Sequence, residues 1–197
     1  MVVVSWSRRG STFTTPLPFM GLTGTCSPRI ANSIHFTAQE FPQGSGGAEI
    51  DFIEPGHGIA IYEVKGFQVG CAICWDLRFP ELFAAYRQRE CGLSICPALF
   101  FADVPTDIQF WESLLCGRAI DTACYLASAT ICGSTSPPSA SGTPDGAPVR
   151  FNWVTRLVDP LGTILARGED DVPGFVQGTV TSARLDVAQE NFPVDVK

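Results

Sequence analysis

The stretch from Ile59 to Glu90 constrains the fold most, because its periodicity switches from strand to helix across a few residues. Ile59 to Val64 and Phe67 to Ile73 are apolar runs separated by Lys65-Gly66, the pattern of a β-hairpin. From Pro80 to Glu90 the spacing becomes helical, with proline in the first turn and Phe79, Leu82, Phe83 and Tyr86 on one face. A strand that feeds a helix so soon must turn sharply. Cys74 stands where the strand run ends.

The alternation continues downstream. Gly92 to Cys96 reads as a short buried strand, and Asp107 to Thr122 as a helix with Phe110, Trp111, Leu114 and Leu115 facing inward behind a Thr106 or Asp107 cap. Ala123 to Ala129 is a further strand, and Cys132 to Pro148 is a Gly/Ser/Pro-rich loop. Trp153 to Val158 and Thr163 to Ala166 bracket the turn Asp159-Pro160-Leu161-Gly162, and Phe175 to Val180 reads as the last strand. Interleaved strands and helices define an α/β class. Residues 1 to 48 show no sustained period and are dense in Ser, Thr, Pro and Gly, so they are expected to be irregular, with the ordered domain over 49 to 197.

Composition narrows the function. At 197 residues and 45% hydrophobic content the chain suits one packed domain. A net charge of −7 argues against nucleic acid and anionic membranes, whose binders need basic surface, and favours a small molecule or a protein as partner. The first residues lack the ordered zones of a signal peptide, and no apolar run approaches the roughly 20 residues of a membrane span. A cytoplasmic protein is expected. The eight cysteines lie mostly in apolar stretches of a large chain, which points to reduced thiols rather than a disulfide scaffold.

A cysteine at a strand end, followed at once by an amphipathic helix, is placed where backbone amides and the helix N-terminus favour thiolate and stabilise an oxyanion. The residues around it are specific. Cys74-Trp75-Asp76-Leu77-Arg78-Phe79-Pro80-Glu81-Leu82 resembles the nucleophile motif of the nitrilase superfamily of carbon-nitrogen hydrolases. The resemblance continues through Cys96-Pro97-Ala98-Leu99-Phe100, Trp111-Glu112-Ser113-Leu114-Leu115, Arg118-Ala119-Ile120-Asp121 and Val158-Asp159-Pro160-Leu161-Gly162. It covers residues 50 to 190.

The resemblance implies a four-layer αββα sandwich, incomplete at its N-terminus, and usually a homodimer. It also implies amide hydrolysis through a cysteine thioester, without a metal or organic cofactor. Cys74 would be the nucleophile and the Trp75 backbone N–H an oxyanion donor, while Phe100 and Trp111 would bind substrate. Ile50-Asp51-Phe52-Ile53-Glu54 is similar to the family segment that carries a second glutamate, which maps that role onto Glu54. Asp76, Arg78 and Glu81 are expected to form ion pairs that fix the turn after Cys74. Similarity around Trp111 to Ala119 leans toward omega-amidases and deaminated-glutathione amidases, hence toward small carboxamide substrates.

Two parts of the family's machinery have no match. The family's lysine lies in a Tyr-Arg-Lys-x-His stretch, where this chain reads Arg29-Ile30-Ala31-Asn32-Ser33-Ile34-His35, and no lysine precedes Lys65. Nothing in residues 1 to 30 resembles the segment that carries the base glutamate. If Arg29 to Ile34 is encoded CGT ATC GCA AAT TCC ATC, reading from the last base of the first codon gives Tyr-Arg-Lys-Phe-His. The same shift permits Pro-Asp-Gly-x-Leu-Leu-Ala up to position 28, in the family's order. Residues 1 to about 35 therefore read as an out-of-frame segment, and turnover is expected to be impaired.

Three rivals follow from the same residues. Cys71, Cys74, Cys91 and Cys96 invite a zinc or redox site, but strand positions three apart face opposite ways and the paired ligand spacing is missing. A Cys-His hydrolase would have only His35 or His57, and His57 lies in what reads as a tight Pro55-Gly56-His57-Gly58 loop. The third is a nitrilase-like binding protein without turnover, or the product of a decayed gene.

Overall fold

A computed structural model describes residues 58–98, 105–133, 151, 154–169 and 172–193, with the backbone alone for 2–6 and 105–107. In chain order the elements are β1 (Val2–Trp6), β2 (Ala60–Val64), β3 (Phe67–Cys71), a 3-10 turn (Cys74–Arg78), α1 (Pro80–Gln88), β4 (Cys91–Ala98) and α2 (Pro105–Thr122). They continue with β5 (Tyr125–Thr130), β6 (Arg156–Val158), β7 (Ile164–Arg167), β8 (Gly174–Gly178) and α3 (Ser182–Asn191).

Six strands form one sheet in the order β2-β3-β4-β5-β6-β7. Its centre, β3-β4-β5, is parallel and its flanks are antiparallel. The parallel steps cross over through α1 and α2, as parallel neighbours require. The β2-β3 hairpin turns at Lys65 and Gly66, with φ of 50° and 82°, the paired positive values of a two-residue hairpin loop.

Alternation along the strands divides the core between two faces. Ala72, Cys96, Leu126 and Val158 pack with Leu82, Phe83, Tyr86, Trp111, Leu115 and Ala119 beneath α1 and α2. Val69, Leu93, Tyr125, Ala127 and Leu157 form the opposite face together with Leu185 of α3. The smaller sheet, β1 paired antiparallel with β8, comes against this second face, where a Cβ on Gly178 would strike Leu157. The result is the expected α/β fold, with α1 and α2 on one face of the six-stranded sheet and the two-stranded sheet plus α3 on the other.

Some expectations need correction. Val2–Trp6, inside the segment read as irregular, form a strand. Three successive valines suit extended backbone, but the partner β8 is remote in sequence, so nothing nearby signalled the pairing. The strand before the turn ends at Cys71 rather than at Cys74. Phe110, expected inside, is 42% exposed. Helix α3 had no sustained apolar period, since only Leu185 and Ala188 are buried, yet Thr181 caps it by accepting the Arg184 N–H at 3.3 Å. Most of the loop expected over 132 to 148 lies outside the described residues.

Tyr86 of α1 lies flat on β3, and its hydroxyl donates to the Cys71 carbonyl at 2.6 Å. This is possible because residue 70 is glycine: a Cβ there would sit 2.7 Å from the Tyr86 ring. Gly70→Ala should therefore destabilise the chain by about 1–3 kcal/mol through overpacking. Urea unfolding checks this, and an unchanged midpoint would show that Tyr86 does not cover that strand.

Candidate active site

Cys74 opens the 3-10 turn with φ of 48°, a left-handed conformation that an L-residue adopts only when its surroundings impose it. Several bonds impose it here. The Asp76 carboxylate accepts the Ile73 N–H at 3.0 Å, and the Asp76 N–H donates to the Ile73 carbonyl at 3.0 Å. Asp76 is 1% exposed, so this clasp is shielded from water. Upstream, the Ala72 N–H donates to the Ile95 carbonyl at 2.9 Å and extends the β3-β4 ladder past the strand end. Downstream, Arg118 Nε of α2 donates to the Leu77 carbonyl at 3.0 Å, while its Nη1 pairs with Asp121 at 2.9 Å. The Arg118-Ala119-Ile120-Asp121 motif carries no signal for this tie between α2 and the turn, because the bond ends on a backbone carbonyl.

Of the three residues expected to fix this turn through ion pairs, Asp76 acts through the backbone. Arg78 lies over aromatic rings, 4.4 Å from the Trp75 centroid and 5.4 Å from that of Phe110. Trp75 and Arg78 are three apart, and in a 3-10 turn such side chains eclipse.

The thiols differ sharply. Burial, with Cys91 nearby, pushes Cys71 up to about 12. Burial raises Cys91 and Cys124 to about 11, and lifts the fully buried Cys96 well above the ordinary thiol range. Cys96 Sγ rests 3.8 Å from the Cys74 carbonyl, so it supports the turn from below. Cys74 itself is only partly buried. Among the described residues no three His, Cys, Asp or Glu side chains gather as metal ligands.

Trp111, expected to bind substrate, is 2% exposed, and its indole N–H donates to Ser128 Oγ at 3.4 Å. It is a core residue beneath α2 rather than an open surface for a ligand. Its neighbour Glu112 pairs with Arg156 at 2.6 Å and Arg167 at 2.9 Å, which joins α2 to β6 and β7. Asp159 Oδ1 accepts the Leu161 and Thr163 N–H groups at 2.9 and 2.8 Å, and its other oxygen takes Arg184 Nε at 2.9 Å. The Asp159-Pro160-Leu161-Gly162 turn thereby anchors α3. Glu54, Phe100, His35 and His57 lie outside the described residues.

The carbon-nitrogen hydrolase family model matches residues 28–189, so the chain belongs to the carbon-nitrogen hydrolase family and is a hydrolase by family. It is 30% identical to a deaminated glutathione amidase of Escherichia coli O157:H7 over 143 residues, 72% of this chain and 48% of that protein. It is 37% identical to omega-amidase NIT2 of Bos taurus over 147 residues, 74% of this chain and 48% of that one. The chain thus spans about half the length of these curated relatives. The crystal structure of the Caenorhabditis elegans NitFhit protein superposes with a TM-score of 0.68 at 26% identity, covering 83% of this chain and 36% of that chain.

Thiol labelling should follow the electrostatics. Near pH 8 a thiol at about 12 is ionised in about one molecule in ten thousand, so Cys71 should stay unmodified while Cys74 reacts first. Limiting iodoacetamide followed by peptide mapping reads this. Faster labelling at Cys71, Cys91 or Cys96 would contradict the site.

Proposed function

We propose that this chain carries the nucleophile half of an amidase that converts small carboxamides to carboxylates and ammonia through a thioester on Cys74. The observation that supports this most is the backbone of Cys74, forced to positive φ at the mouth of a helix by a buried carboxylate clasp. That backbone sets Cys74 at the start of the 3-10 turn, next to the Trp75 N–H, which is the proposed oxyanion contact. The names of the relatives, deaminated glutathione amidase and omega-amidase, favour amides over nitriles.

In the proposed reaction the thiol proton passes to a base as sulfur attacks the amide carbon. The tetrahedral oxyanion collapses, the C–N bond breaks, and nitrogen leaves as ammonia with that proton. Water then attacks the thioester, giving carboxylate and free thiol. Glu54 is the proposed second glutamate, aligned by its Ile50 to Glu54 segment. The chain supplies no lysine before Lys65 and no assigned base, which is why turnover is proposed to be impaired. Losing an oxyanion cation costs about 3 kcal/mol, and losing a general base about 100- to 10,000-fold in rate. The same reading takes a cytoplasmic homodimer as its working state and an out-of-frame segment over residues 1 to about 35.

The absent lysine also favours a second reading, a binding protein that holds an amide without turning it over. Ammonia release from glutaramate-like and succinamate-like amides separates the two, using the chain as given, its Cys74→Ala variant and a frame-restored, N-terminally completed chain. The chain as given should be feeble, and the restored chain faster by several orders of magnitude. Fast turnover by both the given chain and Cys74→Ala would overturn the nucleophile and the impairment together. A restored chain that stays inactive would support the binding protein.

A further inference from the structure

Cys74 and Cys96 come together although one opens a turn and the other sits inside a strand. Cys96 Sγ is 3.8 Å from the Cys74 carbonyl oxygen, and both residues pack on the same core cluster beneath α1 and α2. Their surroundings differ. Cys74 is only partly buried, whereas Cys96 has 0% exposure. Burial first, and then the charge of Cys74, holds Cys96 well above the ordinary thiol range, so it stays protonated and does not meet an oxidant in solution. The nearby thiols of the sheet are placed worse. Val69 faces the second core, so alternation along β3 sets Cys71 on that side, and Cys91 stands five residues back along β4, about 16 Å from Cys96.

We infer that Cys74 and Cys96 form a reversible disulfide driven by a hydroperoxide, in which Cys74 is the thiol that meets the oxidant and Cys96 the one that resolves it. Disulfides join Cα atoms about 4.4–6.8 Å apart. β3 and β4 are neighbouring strands, and the Ala72 to Ile95 bond carries their ladder to within two residues of Cys74. In the first step Cys74 sulfur attacks the hydroperoxide, the O–O bond breaks, and water or an alcohol leaves with the thiol proton, so that Cys74 becomes a sulfenic acid. Cys96 sulfur then attacks Cys74 sulfur, the S–O bond breaks, and the Cys96 proton leaves with the hydroxyl as water. Two electrons pass from the two sulfurs to the hydroperoxide, and a dithiol returns them by exchange. While bridged, Cys74 has no thiol for acylation and is spared the irreversible steps to sulfinic and sulfonic acid. The bridge forms whether or not the chain releases ammonia.

In the test, the full chain meets a slight excess of hydrogen peroxide, remaining thiols are blocked with iodoacetamide in urea, and peptides are mapped without reductant, with fragment ions assigning each sulfur. The parent should lose two titratable thiols and yield a Cys74–Cys96 bridge that dithiothreitol removes. Cys96→Ala should form no bridge and should instead accumulate Cys74 sulfenic acid, trapped by dimedone, followed by sulfinic acid. Cys74→Ala should keep Cys96 reduced at the same dose. Cys96→Val, closer in volume, takes the place of Cys96→Ala if that variant unfolds. A parent in which Cys74 gives as much dimedone adduct as it does in Cys96→Ala overturns the inference. So does a bridge from Cys74 to Cys71 or any other sulfur, oxidation of Cys96 in Cys74→Ala, or peroxide treatment that leaves both thiols of the parent intact.

Discussion

The buried Asp76 clasp on Ile73 is the constraint on which the rest of the site depends. Without it, the chain leaving β3 would have no reason to place Cys74 at φ of 48°, because a non-glycine residue prefers the right-handed and extended regions. Asp76 is 1% exposed, so its carboxylate meets little competition from water for the Ile73 N–H. The neighbouring supports reinforce it from separate elements: β4 through Ile95 and Cys96, and α2 through Arg118. Strain at Cys74 is thus held by three parts of the fold, which is how a conformation costing on the order of 1–3 kcal/mol persists.

The same supports set Cys74 apart from the thiols of the sheet. Cys71, Cys91, Cys96 and Cys124 sit within the packed sheet, and burial disfavours their charged form. Cys74 shares their sequence texture but lies beyond the strand end, only partly buried. Position relative to the sheet edge, more than residue type, separates Cys74 from the core sulfurs.

Local signals carried the middle of the chain well. The β2-β3 hairpin, α1 and the Asp159 turn each announce themselves within a few residues, through paired positive-φ positions, a helical apolar face or side-chain bonds to the local backbone. What escaped depended on distant partners. β1 has meaning only against β8, α3 only against Asp159 and the second sheet face, and Phe110 only once Arg78 is seen above it. At the site, the motif block located Cys74, but the Asp76 clasp and the Arg118 tie needed coordinates because both end on backbone atoms. Trp111 shows the converse: its motif suggested a ligand contact, and its 2% exposure places it in the core.

The central claim is that the turn presents Cys74 for acyl chemistry. Brief exposure of the chain to a p-nitrophenyl ester, followed by acid quench and peptide mass mapping, addresses it directly, since an activated ester acylates a competent thiol without help from a separate base or oxyanion cation. The account predicts one hydroxylamine-labile acyl group on the peptide that contains Cys74, lost on unfolding the chain before exposure. Acylation spread over several cysteines, or equal in the folded and unfolded chain, would contradict it.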